Sequence, residues 1–282
     1  MDKQALTVEL QVTRSLTLAY ASSLLIALLA AIASIAGLLY GTSLYPTDEM
    51  LLLKQPTDLF TLVVGLPLLL GSVWLARRGR LLGLLFWPGM LLYVLYIYVS
   101  YAIGVPFGVL FLVYVALVAL SAYTTIGVVA SIDGAAVRQR LAGAVPARAA
   151  GGILVVLAVL FTLMNVSEIV TALPNPTSDD LLTLPVWIAD SAVLAPAWLI
   201  GGLLLWQRRA LGYVAGAGLL LLGSLLFLGV IVTLVFPAFY DATPVDGASV
   251  VFILIMGLIC FIPLALYVRG IVKSGRDSQE KG

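Results

Sequence analysis

The chain contains no histidine, and its one cysteine is Cys260. Without imidazole there is no axial ligand for haem, no His-bound zinc or copper, and no Ser-His-Asp relay. A lone thiol forms no intrachain disulfide and no thiolate cluster. Cys260 sits in an apolar run and reads as an inert, buried thiol. Lysine is scarce too. Lys3, Lys54, Lys273 and Lys281 fall in tails or a loop on this reading, so no span offers an amine for a retinal Schiff base. Neither a cofactor nor a metal site is expected.

Charge is the larger deficit. Charged residues make up 10% and hydrophobic residues 62%, against about 25% and 45–50% in soluble domains. No soluble fold of this size has an interior large enough for that much Leu, Val and Ala. The net charge of +1 gives no pointer to nucleic acid.

What is present is long apolar runs. About 20 such residues cross the hydrocarbon core as a helix. Runs of that length lie at about 15–41, 58–76, 81–103, 107–130, 151–173, 186–206, 211–236 and 248–269. Alternating ten-residue strands are absent, which excludes a β-barrel. The first run is too long for a signal-peptide core and reads as a retained helix. The expectation is an all-α, polytopic transmembrane bundle of about eight spans.

With these spans, every Lys and Arg except Lys54 falls on one side, in residues 1–14, 77–80, 131–150, 207–210 and the C-terminal tail. The positive-inside rule places both termini in the cytoplasm. The even split supports an even number of spans. The opposite loops carry Asp48, Glu49, Asp179, Asp180, Asp241 and Asp246, which read as ordinary solvated charge or as a weak attraction for cations.

The chain divides into two sets of four spans: residues 1–130, a basic cytoplasmic linker at 131–150, and residues 151–282. Pro67, Arg80 and Gly83 recur as Pro196, Arg209 and Gly212 at a constant offset of 129. Both halves start on the same side, so the 4+4 repeat is parallel, and the default ligand site lies between the two bundles. Pro67, Pro88, Pro196 and Pro263 lie within spans, where each removes a backbone donor.

Ionisable groups at membrane depth are costly and are site candidates by default. Glu168 lies in the outer third of the fifth span, with Asn165 one turn below it on the same face. Asp190 is either inside a sixth helix that starts at Pro185 or the N-cap of one that starts later. Asp58 holds a similar place at the start of the second span and reads first as a cap. The third span is rich in tyrosine. Belt position explains the outermost of these, but Tyr93 and Tyr96 share a face deeper in. With Glu168 they form a candidate pocket of aromatic walls and a carboxylate, suited to an amphipathic or cationic ligand.

The segments Pro67-Leu-Leu-Leu-Gly and Leu75-Ala-Arg-Arg-Gly, the run Tyr93 to Tyr101 leading to Leu110-Phe-Leu-Val-Tyr114, and then Asn165-Val-Ser-Glu168, Asp190 and Trp206-Gln-Arg-Arg carry a resemblance. Together they resemble a family of uncharacterised bacterial multipass membrane proteins with two four-helix repeats. The resemblance implies a bacterial inner-membrane location and no particular activity. The leading expectation is a protein that binds or transports a small molecule, with the lipid bilayer and a homo-oligomeric copy as other partners. An enzyme acting on a lipid or quinone is the runner-up, weakened by the lack of His and of a phosphate-cradling glycine loop. An accessory or structural subunit is the third reading.

Overall fold

The computed structural model describes residues 12, 13, 15–240 and 244–280; Lys3, Arg14, Asp241 and Lys281, counted above among the loop charges, lie outside the described residues. Among the described residues, eight helices are long and apolar enough to cross a membrane. They are α1 (Thr17–Leu39), α2 (Asp48–Arg77), α3 (Leu81–Gly104), α4 (Phe111–Ser131), α6 (Ala147–Ala172), α7 (Ser178–Trp206), α8 (Ala210–Tyr240) and α9 (Gly247–Glu280). A short helix, α5 (Gly134–Leu141), lies in the basic linker and is capped by Asp133, whose Oδ1 accepts from the N–H groups of Ala135 and Ala136. Among the described residues there is no strand, only an isolated bridge between Val12 and Ile132. The protein is an all-α, multi-pass membrane protein.

Two helices begin well before the apolar runs that announce them. α2 starts at Asp48, not near Asp58, and α7 starts at Ser178, not at Pro185 or Asp190. The reason is capping. Thr47 Oγ1 accepts from Met50 N at 3.2 Å. Thr177 and Asp180 close a reciprocal capping box, with Asp180 Oδ2 accepting from Thr177 N at 2.7 Å. Asp48, Glu49, Asp179 and Asp180 fill the first turns, where the helix dipole favours negative charge. Polarity that interrupts an apolar run is therefore what starts these two helices.

The repeat is written in backbone geometry. α2 and α7 each contain a π-helical turn, at Thr61–Gly65 and Asp190–Leu194, followed by twelve residues of α-helix at Leu66–Arg77 and Ala195–Trp206. Both pairs keep the offset of 129. Pro67 and Pro196 stand at the second position after each π turn. Proline has no N–H for the carbonyl four residues back and its ring crowds that carbonyl; the wider π turn relieves both. Gly79 and Arg208, again equivalent, both adopt left-handed backbone with φ of 76° and 57°. The turns around them match bond for bond: Arg80 N donates to Leu75 O at 3.0 Å, and Arg209 N to Leu204 O at 2.8 Å.

The third helix of each repeat is central. α3 packs on α2, α4 and α8; α8 packs on α7, α9 and α3. α3 also packs on the first half of α7, as α8 does on the first half of α2. α3 and α8 cross at Gly89 and Gly218, which are repeat equivalents. A Cβ on Gly89 would run into the backbone of Gly218, and one on Gly218 would lie 2.9 Å from Gly89 N. Only glycine allows this approach, a known device of membrane helix pairs. A contact between two equivalent residues marks the pseudo-twofold axis that relates the bundles.

Candidate functional site

The structure gathers some of the expected residues and separates others. Asp190 is the first residue of the second π turn and is buried. It is interior, not a cap. Its Oδ1 accepts from Tyr96 OH at 2.9 Å and its Oδ2 from Asn165 Nδ2 at 3.3 Å. At the equivalent place in α2, Thr61 Oγ1 and Tyr93 OH are 2.9 Å apart. The two π turns thus present their first residues to tyrosine hydroxyls three residues apart on α3. Replacing Asn165 with leucine removes a donor to a buried carboxylate and is expected to cost about 2 kcal/mol, read as a lowered thermal midpoint in detergent.

Glu168 does not join them. It is exposed near the end of α6, where its Oε2 accepts from Trp187 Nε1 at 2.8 Å. It opens onto a surface recess of 580 Å³ shared with Ser167, Thr171, Thr177 and Thr183. Asn165, one turn earlier, points inward. The slight rotation between the two residues is enough to put one in the core and the other at the surface.

Asp58 lies about three turns into α2 and is 1% exposed. It is not a cap, because the helix starts at Asp48. Its Oδ2 accepts from Tyr45 OH at 2.6 Å, and its Oδ1 lies 3.1 Å from Tyr101 OH. A Cβ on Gly37 of α1 would overlap this carboxyl, so α1 holds it with glycine at the contact. Tyr98 and Tyr114 complete the aromatic shell around Tyr101.

Lys54 corrects the sequence reading most. It lies not in a loop but one turn before Asp58 on α2, and it is 4% exposed. Its Nζ donates to Ser100 Oγ at 3.1 Å and stands 4.5 Å from the centre of the Tyr101 ring. A lysine does lie within a span, and an amine is present at membrane depth. The signal in the sequence was the spacing Lys54-x-x-x-Asp58, which puts opposite charges on one helical face.

A cavity of 340 Å³ lies between the two bundles. α2 contributes Lys54, Thr57 and Phe60, and α3 contributes Tyr93, Tyr96, Ile97, Ser100 and Tyr101. Opposite them stand Val186 of α7 and Leu225, Leu226, Gly229, Val230 and Thr233 of α8. Five pairs of these wall residues are repeat equivalents: Thr57 with Val186, Tyr96 with Leu225, Ile97 with Leu226, Ser100 with Gly229, and Tyr101 with Val230. The cavity sits on the pseudo-twofold axis. Its two sides have diverged: in four of the five pairs the polar or hydroxyl-bearing member comes from the first repeat and an apolar one from the second. A larger groove of 680 Å³ between α3 and α9 is apolar up to Arg269 and Lys273 and lies outside the pair of bundles.

The fold and cavity define a multi-pass membrane protein built from two parallel four-helix repeats. No protein family, no curated protein and no solved structure matches the chain.

Proposed function

We propose that this membrane protein binds a small amphipathic molecule in the cavity on its pseudo-twofold axis. One observation carries the reading: in four of the five equivalent pairs that line the cavity, the first repeat supplies a hydroxyl-bearing side chain and the second an apolar residue. A symmetric packing defect would show the same chemistry on both sides. A wall that is polar on one side and oily on the other suits a molecule with a head and a tail. The volume is near the small end of the ~300–1,000 Å³ typical of ligand sites. Tyr96 links the cavity to Asp190, and Tyr101 links it to Asp58, so two buried carboxyls brace the polar wall from behind.

Transport is the second reading, and the paired π turns favour it. Two broken helices related by the axis flank the cavity, which is where rocking of one bundle against the other would open and close a central site. The orientation we propose, with both termini cytoplasmic, rests on the basic residues at the ends of α2, α7 and α9 and in the linker; a bacterial inner membrane is what the resemblance implies. A reporter active only in the cytoplasm, fused after Gly282, is expected to be active; a silent fusion that is nonetheless present in the membrane refutes the orientation.

Gly229 offers a direct test of binding. A side chain there meets nothing closer than Phe60 Cδ1 at 3.6 Å from its Cβ, so it grows into the cavity. Native mass spectrometry of the full chain in mild detergent is expected to show a discrete extra mass on the wild type and none on Gly229→Phe. The same extra mass on both, or none on either across a panel of single-chain amphiphiles, rejects the cavity as a ligand site.

A further inference from the structure

Building on that reading, we propose that the ligand is a single-tailed amphipathic anion whose carboxylate is held by Lys54. Three observations converge on the ammonium. It is almost wholly buried, yet it forms part of the cavity wall. An ammonium has three donors, and among the described residues Lys54 Nζ has one hydrogen-bond acceptor, Ser100 Oγ. The acid closest along the chain balances the charge at a distance but fills none of the donors: Asp58 turns its oxygens to the hydroxyls of Tyr45 and Tyr101, and no acid among the described residues hydrogen-bonds Lys54 Nζ. A buried cation with unfilled donors is costly in a membrane span unless something completes it. Facing a cavity, the completing group is an anionic head.

The rest of the wall sets the remaining chemistry. Ser100 stands beside Lys54 as a further donor, because its oxygen accepts from the ammonium and its own hydrogen is free for a carboxylate, whereas Thr57 Oγ1 already donates to Leu53 O. Opposite, Leu225, Leu226 and Val230 offer an apolar face to a chain. The volume accommodates one short tail and excludes a two-tailed phospholipid. This revises the expectation of a cationic ligand. The tyrosine faces invite a cation, but Tyr101 already faces the ammonium of Lys54, and a second positive charge beside it is repelled.

The test compares three molecules of equal tail length on the full chain in detergent: octanoate, octanol and octylammonium. Ligands that bind the folded state raise its thermal midpoint, and a tighter ligand reaches the same rise at a lower concentration, because stabilisation depends on the ratio of concentration to Kd. Octanoate is expected to act at a concentration about tenfold lower than octanol, and octylammonium to give the weakest effect. Lys54→Met is expected to abolish the preference for octanoate over octanol while octanol still stabilises, which also shows that the variant is folded. Lys54→Arg is expected to retain the preference. If Lys54→Met does not fold, the order of the three molecules on the wild type and on Lys54→Arg decides. A preference for octanol or octylammonium, or an octanoate preference that survives Lys54→Met, overturns the proposal while leaving the cavity a ligand site. No stabilisation by any of the three, with Gly229→Phe indistinguishable from wild type, removes both.

Discussion

Gly89→Val is expected to cost about 3 kcal/mol, the upper end of what overpacking a core costs, and to lower the thermal midpoint in detergent by roughly 6–12 °C. The clash is with backbone, not with a movable side chain. The added carbon meets Gly218 at the place where α3 and α8 cross, so the two central helices must part. Every contact between the bundles then loosens, including the cavity walls on α3 and α8. Gly218→Val is expected to act alike, because the contact is reciprocal. Gly71→Val is the matched control: nothing lies within 4 Å of its Cβ position, and its midpoint is expected to stay within about 2 °C of wild type, since substitutions away from packed features usually fall within ±0.5 kcal/mol. Equal losses at Gly71 and Gly89 would mean that valine in a span is harmful in itself and that the crossing has no special role.

Asp58→Ala is expected to be the most damaging polar substitution, at about 3–5 kcal/mol, the cost of removing one member of a buried charged pair. The Tyr45 hydroxyl loses its acceptor inside the bundle, Tyr101 keeps only the Lys54 carbonyl, and Lys54 is left as an unbalanced cation one turn away. Asp58→Asn keeps acceptor capacity for one of the hydroxyls and is expected to lose less. The double variant Lys54→Met/Asp58→Leu separates charge from packing. Removing both charges and filling with apolar side chains is expected to recover at least half of the loss, because neighbours that share an electrostatic environment do not add. Thermal midpoints of the wild type, Lys54→Met, Asp58→Leu and the double variant measure this directly. Additive losses in the double variant would show that Asp58 acts through its hydrogen bonds alone and that the charge of Lys54 is indifferent to it.

Much of this was legible in the chain. Hydropathy shows eight spans because a membrane helix must be apolar along nearly its whole length, and the eight are there. Pro67, Arg80 and Gly83 announce the repeat because Pro67 follows the π turn inside the second helix while Arg80 and Gly83 lie at the turn into the third; the structure adds the π turns and the Gly89–Gly218 contact, which no pattern of polarity reveals. Tyr96, Asn165 and Asp190 do meet, and Tyr93 stands beside them in the cavity wall. The failures share a cause. Polar first turns hid the starts of α2 and α7, since Asp48, Glu49, Asp179 and Asp180 lower hydropathy where capping makes them favourable. Lys54 therefore reads as a loop residue and Asp58 as a helix end, when both are buried inside α2. Glu168 was misplaced for another reason. One turn of helix separates it from Asn165, but the packing of α6 against α7 turns only Asn165 inward, and that depends on a neighbour the sequence alone does not position.

The central claim, a head-and-tail ligand lying across the axis between the repeats, is tested most directly by anomalous diffraction from crystals of the full chain grown with 8-bromooctanoate. One bromine peak is expected in the cavity against Leu225, Leu226 and Val230, with the carboxylate within hydrogen-bonding distance of Lys54 Nζ. Bromine found only in the outer groove between α3 and α9, with the cavity empty of ligand density, would contradict it.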